Sequence, residues 1–295
     1  EKDTGEVFAC GAQEEGALGL GNYTNGDVTA PIRLSSSGSL VGLKIVKIAS
    51  GSHHTIFLDS NGDCWVTGFS GFGQLGRGII ESLRIPNRLT DILGEQHPLY
   101  NIKILDVAAG SRFSVFITDR GHAFSVGSNE RGEIGNGFAN AYQLIPYNTS
   151  HDSLLSNQFI TKVLAGEEFT MLHTKDESIF HLGSNEFGQA GTDSYNLYFA
   201  KPVNTWTDIS QFGIGSSFCF ILDYHFCKGG EYSDKENFHK CHECPPGSFC
   251  TPQTVFHHPK KCPKFHWSER RAKSSSQCET SLCGEGYECE NGERS

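Results

Sequence analysis

A chain of 295 residues with 37% hydrophobic residues and 34 glycines can hold one large or two ordinary domains around a substantial core. It contains no run of 18 apolar residues, so no segment has the composition of a membrane-crossing helix. Residues 225–295 hold ten acids and ten Lys/Arg, so the formal charge of −10 lies wholly in residues 1–224; an acidic surface opposes nucleic-acid binding, which is largely phosphate neutralisation.

The chain opens on Glu1-Lys2-Asp3-Thr4 without Met or a signal peptide, as expected of a processed product or a piece of something longer. Glu6–Cys10 has the character of a strand and leads into a Gly-rich phrase, Gly11 to Gly21 (GAQEEGALGLG). That phrase returns at Gly68 to Gly78, Gly127 to Gly137 and Gly183 to Asp193, in the frame G-x4-G-x2-G-x-G with the last glycine lost in the fourth copy. Self-similarity at this period signals a propeller or solenoid, whose units cannot bury their apolar faces alone.

Alternating segments fill the intervals. In the second unit, Lys44–Ala49 and His54–Asp59 are predicted strands, Asn61-Gly62 is a hairpin turn, and Asp63–Thr67 returns into Gly68. Arg84–Leu89 is expected as an outer strand, where Pro86 is tolerable. The third unit repeats this as Ile104–Ala109, Phe113–Thr118 and Ala123–Val126, and the fourth as Lys162–Ala165, Phe169–Thr174 and Ile179–Leu182. Four short strands per unit with Gly-rich connections describe an all-β propeller blade over residues 1–224. No helical periodicity follows the glycine loops, so they lack the context of a phosphate-binding turn.

The Ala108-Ala109-Gly110-Ser111 and Leu164-Ala165-Gly166 segments, with loops such as Gly127-x-Asn129-x2-Gly132-x2-Gly135, resemble the repeat named after the regulator of chromosome condensation, RCC1. The resemblance covers roughly residues 5–224 and implies a propeller, typically seven-bladed, whereas four units are visible. By analogy with the founding family it also implies a regulator of nucleotide exchange on a small GTPase.

The ends of the repeat region are complementary. Phe212–Asp223 matches Ile48–Asp59, and Glu6–Cys10 matches the returning strand, so the two are expected to join in one composite blade. Folding about Asn61 places Thr55 opposite Thr67, and likewise Ser114 opposite Val126 and Thr170 opposite Leu182. The equivalent positions in the composite blade are Cys219 and Cys10, which predicts a disulfide closing the ring. Cys64 aligns with Ala123 and Ile179, as expected of an inert buried thiol.

After Asp223 the composition shifts to Pro, Ser, Lys, His and Cys, defining a second module over 225–295. Cys227, Cys241, Cys244, Cys250, Cys262, Cys278, Cys283 and Cys289 are expected to be disulfide-linked, in a connectivity the spacing does not choose. Cys241-x2-Cys244-Pro-Pro-Gly-Ser-Phe-Cys250 and Cys283-Gly-Glu-Gly-Tyr-Glu-Cys289 resemble ephrin-receptor-like and TNF-receptor-like cysteine-rich modules, which implies a spacer or protein-binding rod. Zinc is a competing use of Cys241 and Cys244, but no second C-x2-C follows at finger spacing. Lys260, Lys261, Lys264, Arg270, Arg271 and Lys273 form a basic cluster, a candidate patch for an acidic partner or anionic glycan.

Cysteine density and two glycosylation sequons, at Asn22 and Asn148, give the expectation of an extracellular or cell-surface location, with any membrane attachment outside this chain. No nucleophile elbow, HExxH or P-loop occurs; His53-His54, Glu14-Glu15 and Glu167-Glu168 are neighbours along the chain rather than convergent groups. The expected function is therefore non-catalytic and without cofactor: protein interaction, adhesion or self-assembly, with segments 79–102 and 138–160 as contact loops. Alternatives are small-GTPase regulation, or a secreted propeller-type inhibitor or receptor ectodomain.

Overall fold

The computed structural model describes residues 5–21, 27–34, 38–151, 154–191, 195–203 and 209–223, together with short strands between 231 and 294. The chain divides into two compact units, one of residues 1–205 and 212–221, the other of 206–211 and 222–295.

Three complete four-stranded antiparallel sheets dominate the first unit. The first contains β3 (Ile45–Ser50), β4 (His54–Asp59), β5 (Cys64–Gly68) and β6 (Leu83–Arg88), in that order. The next holds β7 (Ile104–Ala109), β8 (Phe113–Thr118), β9 (Ala123–Asn129) and β10 (Asn140–Asn148), and the third β11 (Ile160–Ala165), β12 (Phe169–Thr174), β13 (Ile179–Ser184) and β14 (Asn196–Pro202). Each strand pairs with its sequence neighbour, the meander expected of a propeller blade. The hairpin registers place Thr55 opposite Thr67, Ser114 opposite Val126 and Thr170 opposite Leu182.

Two half-blades flank these sheets. β1 (Phe8–Gly11) pairs with β2 (Val28–Arg33), and β15 (Ile209–Ile214) pairs with β16 (Cys219–Asp223). By register, β1 and β2 correspond to the third and fourth strands of a blade: Gly11 faces Val28 as Gly68 faces Leu83. β15 and β16 correspond to the first and second. The expected composite blade is not formed, because β1 bonds only to β2 and β16 only to β15 among the described strands. The predicted Cys10–Cys219 disulfide is likewise not made; both thiols are free.

The core lies between blades rather than within them. Ile56, Val66 and Leu75 from the sheet of β3–β6 pack with Val107, Phe116 and Val126 from the next. Phe113, Val115 and Ile117 meet Val163, Leu172 and Leu182 in the same way, and Val7, Leu34 and Leu40 meet Ile45 and Phe57. Each such side chain contributes about 1.5–3 kcal/mol on burial, which no isolated blade could gain.

The glycine phrase has a specific task at these seams. Gly16, Gly73 and Gly132 all have positive φ (81°, 75° and 91°) and lie against the outer strand of the following blade. A Cβ at these positions would sit 2.6 Å from Leu83 O, 2.9 Å from Gln143 O and 3.0 Å from Tyr198 Cα. The last glycine then donates across the seam: Gly21 N to Arg84 O, Gly78 N to Leu144 O and Gly137 N to Tyr198 O. Only glycine combines that backbone angle with that approach.

The segments expected as contact loops contain outer strands, β6 within 79–102 and β10 within 138–160. In the second unit the described elements are four two-stranded pairs, including β17 (Glu231–Ser233) with β18 (Cys241–Glu243) and β19 (Ser248–Phe249) with β20 (Lys260–Lys261). Cys227, Cys244, Cys250, Cys262, Cys278 and Cys283 lie outside the described residues, as do the side chains of Cys241 and Cys289. Lys264, Arg270, Arg271, Lys273 and Asn22 lie outside them too, as do the side chains of Lys260 and Lys261. No helix among the described residues is long and apolar enough to cross a membrane.

Candidate protein-interaction face

In each blade the first two strands are joined by a tight turn: Ser50-Gly51-Ser52, Ala109-Gly110-Ser111, Ala165-Gly166-Glu167 and Ile214-Gly215-Ser216. These four turns converge to line one cavity of about 550 Å³. The glycines are required here by a ring three residues on. A Cβ on Gly110, Gly166 or Gly215 would strike Phe113, Phe169 or Phe218 at 2.0–2.3 Å, and one on Gly51 would strike His54 at 2.4 Å.

Successive turns are tied to one another across the blades. Ser52 Oγ donates to Ser111 Oγ (3.0 Å), Ser111 N to Glu167 O (2.9 Å) and Glu167 N to Ser216 O (2.9 Å). The Ser216 hydroxyl donates back to the Glu167 carboxylate (2.5 Å). The polar lining is thus backbone, hydroxyl and a single carboxylate, beside the apolar Ala109, Ala165 and Ile214.

The residue after each turn and a side chain of the preceding glycine phrase build a charged rim. Arg112 stands over the Phe72 ring (4.7 Å), and Arg131 pairs with Glu168 (3.6 Å) and with Glu186. Tyr195 donates to Glu186 (3.1 Å), which raises the phenol pKa. Phe187, the counterpart of Phe72 and Arg131, is 74% exposed. The phrase itself is braced by an amide or carboxylate: Gln74, Glu133 and Gln189 accept from the backbone N–H of Phe72, Arg131 and Phe187 (2.8–3.0 Å). Burial raises the Glu133 pKa against these hydrogen bonds. These three residues were visible in the sequence only as one variable position of the repeat.

Glu167 and Glu168 therefore diverge, one toward Ser216 and the other toward Arg131, as neighbours on a chain should. Glu14 and Glu15 lie in a short 3-10 turn. His53 is exposed, whereas His54 is fully buried; Ser114 donates to Gln74 O (2.7 Å), so its oxygen accepts from His54 Nε2–H (2.9 Å). Desolvation lowers the His54 pKa to about 4 and that of His181, stacked on Phe169, to about 3. Both histidines are neutral core residues.

Cys219 has a role that the disulfide reading missed. Thr55 and Ser114, its counterparts, donate to Ala17 O and Gln74 O of the preceding phrase (2.9 and 2.7 Å); the Cys219 thiol does the same to Gln189 O (3.2 Å). Burial raises its pKa. Cys64 is buried between blades, its pKa raised by burial and then by Asp59 and Asp63. Asn148 Oδ1 accepts from Ser150 N (3.1 Å), and the buried Thr149 hydroxyl donates to Ile134 O (2.9 Å).

Comparison with known proteins places this geometry. The model of the regulator of chromosome condensation (RCC1) repeat matches residues 4–58 and 61–117, and a second RCC1-repeat model matches 45–74 and 104–133. The chain is 31% identical to the Ultraviolet-B receptor UVR8 of Arabidopsis thaliana over 199 residues, 68% of this chain and 41% of that protein. It is 30% identical to the Protein RCC2 homolog of Xenopus laevis over 166 residues, 56% of this chain and 30% of that protein. The chain thus spans less than half the length of these relatives. Among solved structures it superposes on human WBSCR16 with a TM-score of 0.64 at 21% identity, covering 75% of this chain and 54% of that one. Prp20p from Saccharomyces cerevisiae gives a TM-score of 0.60 at 20% identity, covering 88% and 60%. These relatives overturn the extracellular location expected from the cysteines: RCC2, Prp20 and UVR8 are intracellular regulators.

Proposed function

From RCC1 repeats folded as propeller blades, we propose that this chain is a non-catalytic regulator of a small GTPase, engaging it through the face where the four turns converge. The observation that carries this reading is the open cavity lined by Ser52, Ser111, Glu167 and Ser216, with its rim of Arg112, Arg131, Glu168 and Glu186. A scaffold of hydrogen-bonded turns holds these charges in fixed places, as a surface that discriminates among protein partners must. Prp20p, similar in fold, is described with binding properties to Gsp1p, a small GTPase, and to histones. Regulation of this kind needs differential binding to two states of the partner and no covalent chemistry in the regulator.

The test is release of fluorescent GDP from a panel of small GTPases, with binding followed by calorimetry. The chain should bind at least one and change its release rate. Arg131→Glu, which reverses the charge facing Glu168 and Glu186, should weaken that binding at least tenfold. Absence of binding to every panel member at 100 µM (roughly the weak end of specific association) would remove the proposal.

A further inference from the structure

Two positions of the repeat meet again and again on the candidate face. One is the residue before the left-handed glycine of a phrase: Phe72 before Gly73, Arg131 before Gly132 and Phe187 before Gly188. The other is the second residue after the turn glycine of the next sheet: Arg112 after Gly110, Glu168 after Gly166 and Ser217 after Gly215. At the first seam the Arg112 guanidinium lies over the Phe72 ring, 4.7 Å from its centre. At the second, Arg131 pairs with Glu168 at 3.6 Å. Both pairs are complementary, a cation on the negative face of a ring and a cation beside an anion.

The third pair breaks the pattern. Ser217 is short and uncharged, and its hydroxyl lies 3.5 Å from that of Ser216. Phe187 is 74% exposed, where Phe72 beneath its arginine is half-buried. The surroundings of Phe187 suit a cation. Its chain neighbour Glu186 accepts from the Tyr195 hydroxyl (3.1 Å) and pairs with Arg131, both through Oε1, which leaves Oε2 for a further donor. Residues 1–224 also carry the whole formal charge of −10, a field that draws in cationic groups.

We propose that Phe187 and Glu186 seat an arginine side chain of the protein partner, lying over the Phe187 ring as Arg112 lies over that of Phe72. The inference rests on the reading of this face as a partner-binding surface and names the side chain it captures. An exposed ring beside a carboxylate is the pair of groups a guanidinium uses best. Its flat face stacks on the ring while its N–H fork bonds edge-on to the carboxylate. A lysine ammonium, compact and strongly hydrated, does one or the other less well. An apolar guest would draw the Glu186 carboxylate away from water without giving it a donor.

The experiment uses the full chain labelled with 4-fluorophenylalanine, the Phe187 resonance being assigned by its loss in Phe187→Leu. Two Gly/Ser peptides are titrated, one with a central arginine and one with citrulline, which has the same shape without the charge. The arginine peptide should shift the Phe187 resonance with a dissociation constant on the order of millimolar. It should bind about fivefold more tightly than the citrulline peptide. Ser217→Arg places the chain's own guanidinium where Arg112 stands in the earlier seam. That variant should lose the response to the arginine peptide while its far-ultraviolet spectrum is unchanged. Equal binding of the two peptides would overturn the proposal, as would an undiminished response in Ser217→Arg. These readouts need no GTPase, so an arginine seat can be found on a chain that binds no member of the panel. A GTPase bound equally before and after Ser217→Arg would remove this inference and leave the proposed function standing.

Discussion

At the scale of single residues, position within the repeat decides chemistry more than residue type does. His54 occupies a site held by Phe113 and Phe169 in the next two blades, over Gly51 as they lie over Gly110 and Gly166. Its Nε2–H has the Ser114 oxygen, but Nδ1 is buried without a partner, so protonation is opposed. A folded pKa of about 4 lies below the unfolded value of 6.5. The unfolded chain therefore binds a proton that the folded chain refuses between those limits; stability is complete above pH 6.5 and falls as pH drops toward 4. At pH 5 the loss from this one group is roughly 2 kcal/mol. His54→Phe should remove that part of the slope, raising stability at pH 5 relative to pH 7.5 in urea denaturation; an unchanged slope would exclude His54 as its source. His181, lowered to about 3, adds a slope of the same sign.

At the scale of elements, strand hairpins were legible, whereas of the outer strands only β6, expected over Arg84–Leu89, was. Asn61-Gly62 and the alternation around it announce β4 and β5 because turn chemistry and half-burial are both local properties. β2, β10 and β14 carry Pro31, Pro146 and Pro202, pair through irregular registers and leave many side chains exposed, so little in their own sequence marks them. Their position comes instead from the glycine phrase of the preceding blade. Gly132→Ala should accordingly cost more than the roughly 1–2 kcal/mol of a left-handed alanine, because its methyl meets Tyr198. Gly188→Ala should cost only that conformational part, because no atom of the described residues stands in the way. Equal losses in thermal unfolding would mean that the phrase acts through backbone conformation alone.

At the scale of the whole molecule, blades are joined in series, so a residue that spans two seams matters beyond its own sheet. Asp106 is one. Its carboxylate accepts from Lys47 of the preceding blade, from its own neighbour Val107 N (3.1 Å) and from Val163 N of the following blade (2.9 Å). Asp106→Ala would leave Val163 N unpartnered beside a buried seam. It should cost about 2–4 kcal/mol, against less than about 1 kcal/mol for Lys47→Ala, whose ammonium returns to solvent. Denaturant midpoints of the two variants check this; equal shifts would show that the Lys47 pair carries the whole effect.

The sequence alone determined the repeat, the propeller blades, the hairpin registers and the half-repeats at the two ends, because all of these are periodic or depend on turns a few residues long. Its reading of Cys10 and Cys219 as facing positions closed a blade that the described strands do not form. Only the tertiary structure decided what crosses a seam: the convergence of four turns on one cavity, the Arg131 bridge to two glutamates, and the thiol of Cys219 serving where others use a hydroxyl. Such contacts join residues some fifty positions apart, where adjacency is set by how neighbouring sheets pack rather than by the pattern along either strand.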